Sequence, residues 1–294
     1  MASTREIRRR VTGFFFVLPG FVFVLLFMVF PLVYSLYLST TSYNFVYDPS
    51  PTFVFLRNFV EIFRDPLFLN SIRVSLIFVG LVLPIGVLVP LLLALLLDSA
   101  ISLGTKTGLY ESAIFVPLVV PVSLACIIFL LLLDPSIGYL NFLLTRRLGL
   151  PRFNWVTDGW TALLTMVLIS NWEMGYQVLL FLTALKSVDR ELLEAAQIDG
   201  ATGVQRVFYI TLPQIRGTTA VVTVLAIIRA FKIFVQPMVL TRGGPLHATE
   251  TIYFYLYRTG FEFFEMGKAS AMAYFLSFAI LLVSIANLKI FRTD

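Results

Sequence analysis

The chain has 294 residues, 59% of them hydrophobic and only 13% charged, with a formal net charge of +5. Soluble globular domains carry about a quarter charged residues, so this composition excludes a water-exposed globular fold, and the small, scattered positive charge excludes a nucleic-acid binder. The single cysteine, Cys126, and the single histidine, His247, leave no intrachain disulfide and no Cys- or His-based metal cluster.

A helix needs about 20 apolar residues to cross the hydrocarbon core. Six stretches qualify: 14–38, 74–97, 112–133, 160–185, 218–240 and 269–288. The predicted fold class is therefore an all-α integral membrane protein with six transmembrane helices. Arg5, Arg8, Arg9 and Arg10 precede the first stretch and look like the n-region of a signal peptide. The run at 14–38 is too long for an h-region and holds no small-residue cleavage site, so a retained span is expected. No basic residue follows until Arg57. With an even number of spans, that asymmetry places both termini in the cytoplasm. Loops 39–70, 134–159 and 241–268 then face outward, and loops 98–111 and 186–217 face inward. Pro19, Pro31, Pro84, Pro90, Pro117 and Pro121 fall inside spans, which membrane helices tolerate when neighbours satisfy the freed carbonyls.

The fourth and fifth spans carry charge. Ser170, Glu173 and Gln177 share one helical face, flanked by Asn171, Trp172 and Tyr176, and Arg229, Lys232 and Gln236 repeat the spacing on span five. An intramembrane charge costs roughly 2.5–3.5 kcal/mol on the insertion scale, so each marks a pathway or a partner. Polar groups beside aromatics suit a sugar, whose hydroxyls need hydrogen bonds and whose C–H faces stack on rings. The structural alternative is a Glu173–Arg229 pair that holds helices together, with Lys232 snorkelling away.

Between these spans lies a long polar loop, reading DRELLEAAQIDGATGVQRVFYITLP from Asp189 to Pro213. Asp189 is an N-cap candidate, Leu192, Leu193, Ala196 and Gln197 follow at helical spacing, and Gly200 breaks the helix. A second short helix over 202–209 ends before Leu212-Pro213. After span five comes Thr241-Arg242-Gly243-Gly244-Pro245, with two glycines able to take positive φ and a proline to stiffen the exit.

The spacing Glu194-Ala195-Ala196, three residues, Gly200, nine residues, Ile210, one residue, Leu212-Pro213 resembles the EAA signature of ABC importer permeases. Leu240 to Pro245, Ala248-Thr249-Glu250-Thr251 and Tyr257-Arg258-Thr259-Gly260-Phe261 are similar to the carbohydrate-uptake branch of that family. Asn58-Phe59, Asp65-Pro66-Leu67-Phe68, Gly138-Tyr139-Leu140-Asn141 and Leu148-Gly149-Leu150 fit the same branch, most closely its first permease subunit, so the likeness spans essentially the whole chain. The resemblance implies a type I importer permease fold: an N-terminal segment 1–70, a transmembrane core 71–290 with a coupling loop 186–217, and a tail 291–294. It implies that the loop forms a coupling helix docking in a groove of an ATPase subunit through Glu191, Glu194, Ala195, Ala196, Asp199 and Gly200. Small alanines permit close approach, Gly200 permits the turn, and Glu194 and Asp199 can pair with basic partner residues. An ordinary amphipathic interfacial helix is the alternative. The implied partners are a second permease subunit in a heterodimer, two ATPase subunits and an extracytoplasmic solute-binding protein, in a bacterial or archaeal cytoplasmic membrane. The chain has no G-x-x-x-x-G-K-[ST] loop, so ATP and Mg are expected on the ATPase and no cofactor on this chain. Thr241, Arg242, Gly243, Gly244 and Pro245 are expected at the mouth of the path, where the binding protein docks; a plain surface turn is the alternative. The solute stays open between a sugar and a glycerol phosphate. Two other classes compete. An ion-coupled secondary transporter using Glu173 would need inverted repeats, and a membrane-embedded enzyme would need a nucleophile–base pair.

Overall fold

In lipid a helix satisfies its own backbone, and helices take up most of this chain. The computed structural model describes residues 4–102, 104 and 106–291. The side chains of Arg5, Arg8, Arg9 and Arg10 and most of the predicted tail 291–294 lie outside the described residues. The first span is α1 (Thr4–Val24), a π turn at Leu25–Val29 and α2 (Phe30–Ser39). Pro31 accounts for the π turn, because its ring crowds the preceding turn and it has no N–H to donate. A short ribbon follows, β1 (Thr41–Ser42) antiparallel to β2 (Thr52–Phe53), with Thr41 opposite Phe53. Next come α3 (Arg57–Ile62) and α4 (Pro66–Ser102), the second span, which begins on a proline and runs on through Pro84 and Pro90.

The next three predicted spans are not continuous helices. The third is α5 (Gly108–Phe115), a 3-10 turn at Val116–Val119, and α6 (Val122–Leu132), with a bend of 106° between the two halves. Pro121 is the cause: it forces Val120 into extended backbone at φ −84, ψ 122. After α7 (Tyr139–Leu148), which closes on Gly149 at φ +65, the fourth span divides into α8 (Gly159–Trp172) and α9 (Gly175–Leu185). The connecting loop holds α10 (Arg190–Ile198), α11 (Gly203–Arg206), a π turn at Val207–Thr211 and α12 (Leu212–Gln214). The fifth span, α13 (Arg216–Phe231), stops at Lys232 and resumes as a π turn at Pro237–Thr241. The chain ends with α14 (Ile252–Tyr257) and α15 (Met266–Phe291), the sixth span. Thr12–Ser39, Pro66–Ile101 and Met266–Phe291 are each long and apolar enough to cross alone.

Two units divide the chain, Met1–Asp65 with Leu256–Phe275, and Pro66–Tyr255 with Leu276–Asp294. In the first, buried Asn58 donates from Nδ2 to Ser39 O and Thr41 O, both at 2.8 Å, and so ties α3 to the end of α2. The most apolar window of Thr12–Ser39 contains no buried residue, which suits a helix immersed in lipid.

In the second unit, two apolar clusters form along α4. Val74, Phe78 and Val82 pack with Cys126, Leu163, Met166, Ile169, Ile233 and Leu240. Leu91, Ala94 and Leu97 pack with Val178, Phe181, Leu185, Ile215 and Val222. The α8–α9 pair visits the clusters in the same order as α4, and α13 visits them in reverse. Lipid tails are as apolar as leucine, so close packing holds these clusters and the hydrophobic effect contributes little.

Candidate functional site

The polar residues of spans four and five lie between the two clusters. Ser170, Asn171, Glu173, Gln177, Arg229, Lys232 and Gln236 line one cavity of about 220 Å³. Glu173 ends α8 and Arg229 lies in the last turn of α13, where Arg229 Nη2 donates to Glu173 Oε2 at 3.3 Å. With its amide turned so that the oxygen faces Arg229, the orientation that satisfies both of its ends, Gln177 accepts from Arg229 Nη1 at 3.0 Å and donates to Met174 O at 3.1 Å. Gln236 Nε2 donates to Ser170 Oγ at 3.3 Å. Asn171 donates to Val167 O at 2.9 Å and turns its oxygen toward Gly86, where an added Cβ would lie 3.0 Å away. The ion pair and the polar cavity, posed by the sequence as alternatives, are both present in one place.

The helix interruptions converge here as well. Val122, the first residue after the Pro121 bend, Glu173 at the α8–α9 break, and Lys232 to Gln236 after α13 all line the cavity. Non-helical backbone at membrane depth survives where it lines a cavity or is buried in protein. Two of the predicted residues fall elsewhere. Trp172 packs edge-on against Phe129, with centroids 5.6 Å apart and an interplanar angle of 82°. Tyr176 faces a neighbouring hollow, shared with Leu180, Leu225, Gln177, Arg229 and Lys232. The wall residues Gly86, Val122 and Phe234 were not anticipated. Their only sequence signal is a glycine or an apolar residue in an apolar run, which hydropathy cannot distinguish from lipid-facing positions.

The loop at 186–217 is a braced pair of short helices. Asp189 Oδ1 accepts from Glu191 N at 2.9 Å and caps α10. Gly200, at φ +86, ends it in a Schellman motif: Ala201 N donates to Ala196 O at 2.9 Å and Gly200 N to Gln197 O at 3.1 Å. Thr202 and Gln205 form a reciprocal capping box on α11. Arg206 Nη1 donates to Gln197 Oε1 at 2.9 Å across the pair, and Gln214 Oε1 accepts from Asp189 N at 3.2 Å at its base. Glu191, Glu194, Ala195, Asp199 and Gly200 are exposed and Ala196 is half-buried. Ile198 at 87% exposure and Val204 at 67% leave two apolar side chains of the pair uncovered.

The turn after span five is built into the second unit. Arg242 and Gly243 take left-handed backbone at φ 50 and φ 82, and Gly244 N donates to Thr241 O at 3.0 Å. Thr241 Oγ1 lies 2.6 Å from Thr249 Oγ1, which donates to Gly244 O at 2.7 Å. Thr249, Glu250 and Thr251 are fully buried, and Glu250 pairs with His247. Thr251 Oγ1 donates at 3.1 Å to Ile233 O, a carbonyl left over by the α13 interruption at the cavity wall. Ser75 Oγ accepts from Ile252 N at 2.8 Å and fixes the start of α14. Between Gly244 and the buried Thr249, Leu246 is 97% exposed.

No family model matches the chain. Curated relatives do. The probable ABC transporter permease YesP of Bacillus subtilis is 33% identical over 298 residues, covering 100% of this chain and 94% of its own length. The sn-glycerol-3-phosphate transport system permease UgpA of Pectobacterium atrosepticum is 33% identical over 244 residues, covering 82% of this chain and 80% of its own. A crystal structure of a bacterial ABC transporter involved in import of the acidic polysaccharide alginate superposes with a TM-score of 0.85 at 25% identity, covering 98% of this chain and 97% of that one. The same transporter solved with an alginate pentasaccharide-bound periplasmic protein also superposes at 0.85. With a relative one-third identical from end to end and a transporter of the same architecture, this chain belongs to the permease subunits of ABC transporters.

Proposed function

We propose that the permease forms half of the transmembrane path of an ATP-driven importer, and that the cavity at Glu173, Gln177, Arg229 and Gln236 is its solute-facing wall. The observation that carries this is the convergence of three interrupted helices and the two polar stripes on a single cavity. Many membrane transporters place solute where discontinuous helices meet. In this reading both termini are cytoplasmic, and a second permease completes the path. A solute-binding protein on the outer side delivers a carbohydrate at the turn Thr241 to Pro245. ATP and Mg stay on two separate ATPase subunits, and the permease itself is not catalytic. The braced helix pair with its exposed Ile198 and Val204 is the part that docks on an ATPase, and α9 and α13, which leave the loop at either end, carry its movement to the cavity.

The test is uptake of labelled solute by the assembled importer. Glu173→Ala and Gln177→Ala should each weaken transport with the complex still assembled, by about 2- to 13-fold for one lost hydrogen bond. Exchanging the pair (Glu173→Arg with Arg229→Glu) separates a solute site from a helix clamp. Wild-type uptake in the exchange would assign both residues to holding helices and sink the path reading.

A further inference from the structure

The solute cavity has a charge imbalance. Its lining includes two cations, Arg229 and Lys232, and one anion, Glu173. Arg229 is engaged by Glu173 and Gln177. Lys232 is exposed and lines both this cavity and the hollow beside Tyr176; its backbone N–H donates to Ile228 O at 3.1 Å, while among the described residues its ammonium makes no hydrogen bond or ion pair. Neither lining contains a second carboxylate to neutralise it. A neutral sugar gives no reason for this arrangement. Its hydroxyls would be served by Ser170, Asn171, Gln177 and Gln236, and a fixed cation at membrane depth without a counter-charge is costly.

We infer that the imported solute carries an anionic group, a carboxylate or a phosphate beside its hydroxyls, and that Lys232 selects for it. The inference rests on reading the cavity as the solute path. Division of labour follows from the chemistry: the amides and the serine match hydroxyls, while the ammonium supplies a compact point charge for the anion. The competing assignments are an ammonium that settles against the negative end of α13, where Lys232 is the C-cap residue, and one that binds a phospholipid phosphate.

The experiment is thermal unfolding of the purified membrane complex in phosphatidylcholine nanodiscs at fixed ionic strength. Matched solutes are added: glycerol 3-phosphate against glycerol, and glucuronate against glucose. A bound solute raises the melting temperature by mass action. The expected result is a shift with at least one anionic member and none with its neutral twin. Lys232→Gln should weaken the anion by about 10- to 100-fold, as loss of a charged hydrogen bond does, and Lys232→Arg should retain most of the preference. Equal shifts for anionic and neutral twins, or an anion preference that survives Lys232→Gln, would overturn the inference. If neutral sugars bind and Gln177→Ala weakens them, the path reading stands and only the anion fails; if no solute shifts the complex, both fall. If phosphatidylglycerol alone stabilises the wild type, Lys232→Gln removes that gain and solutes add nothing, the lysine belongs to a lipid headgroup.

Discussion

Gly175 opens α9 against the bent third span with no room for a side chain. An added Cβ would lie 2.6 Å from Ile114 O and 3.1 Å from Leu118 Cδ1. Gly175→Ala must therefore push the α5 segment away, and overpacking of this kind costs about 1–3 kcal/mol. Gly80, inside α4, has nothing within 4 Å of the same position, so Gly80→Ala should be neutral or slightly stabilising. Melting temperatures of the two variants in one detergent check the contrast, and equal values would show that the close approach is not real. Glu61 gives a pH dependence in the first unit. Arg57 Nε donates to its carboxylate at 2.7 Å, and Lys268 Nζ lies 3.7 Å from Glu61 and 3.2 Å from Glu265. The Arg57 hydrogen bond holds the Glu61 carboxyl below its ordinary value, against a burial effect that raises it. A carboxylate depressed in the folded state stabilises above its unfolded pKa and loses that contribution as pH falls through the folded one. Stability should thus decline as pH drops below the ordinary value of 4.5, and Glu61→Gln should flatten that decline in a melting-temperature series. An unchanged slope would remove Glu61 from the acid response.

The helix pair at 186–217 is stiff for reasons contained within it. Two caps, a Schellman turn and the Arg206–Gln197 bond satisfy its ends without help from the rest of the chain. Its weak point is Gly200 at φ +86, a backbone region where a β-branched residue costs of order 1–3 kcal/mol. Gly200→Val should open the turn, and transport and ATPase stimulation should both fall in the assembled importer. Asparagine tolerates left-handed backbone, so Gly200→Asn should keep most of both. Equal activity of the two variants would detach the turn from coupling. The interrupted spans behave oppositely. The break after α13 strands the Ile233 carbonyl, and Thr251 reaches it only because the turn at 241–245 folds back. That bond links the segment behind Pro245 to the cavity wall.

Topology is a property of the entire chain, and the arginine asymmetry around the first span is the sequence feature that decides the expected orientation. Cys126 is buried in an apolar cluster, which makes the protein a quiet background for thiol labelling. Cysteine introduced at Arg146, in α7, should react with an impermeant reagent added outside intact cells. Cysteine at Arg206, in the helix pair, should react only after the membrane is opened. The reverse pattern would invert the orientation and remove the docking loop from the cytoplasm.

Composition alone placed the chain in a membrane, because too few charges are present to coat a surface in water. The helix pair was readable in part, since Asp189 and Gly200 act over one to five positions and need no distant partner; the Thr202–Gln205 box was not read, and the second helix, expected to end at 209, runs on through a π turn to Gln214. Neither polar stripe lies on one continuous helix, because Glu173 sits at the α8–α9 break and Lys232 and Gln236 lie beyond the end of α13, although the polar residues themselves were readable as a spacing. Their meeting was not. Glu173 and Arg229 are 56 positions apart, and helical periodicity places a residue on a face without saying which face it meets. The breaks in spans three, four and five were also invisible to hydropathy, which counts apolar side chains and is blind to backbone hydrogen bonds. An apolar run stays helical in lipid unless something else satisfies the groups a break exposes. Here that something is tertiary: the Thr251 hydroxyl at Ile233, and a cavity into which interrupted backbone can open.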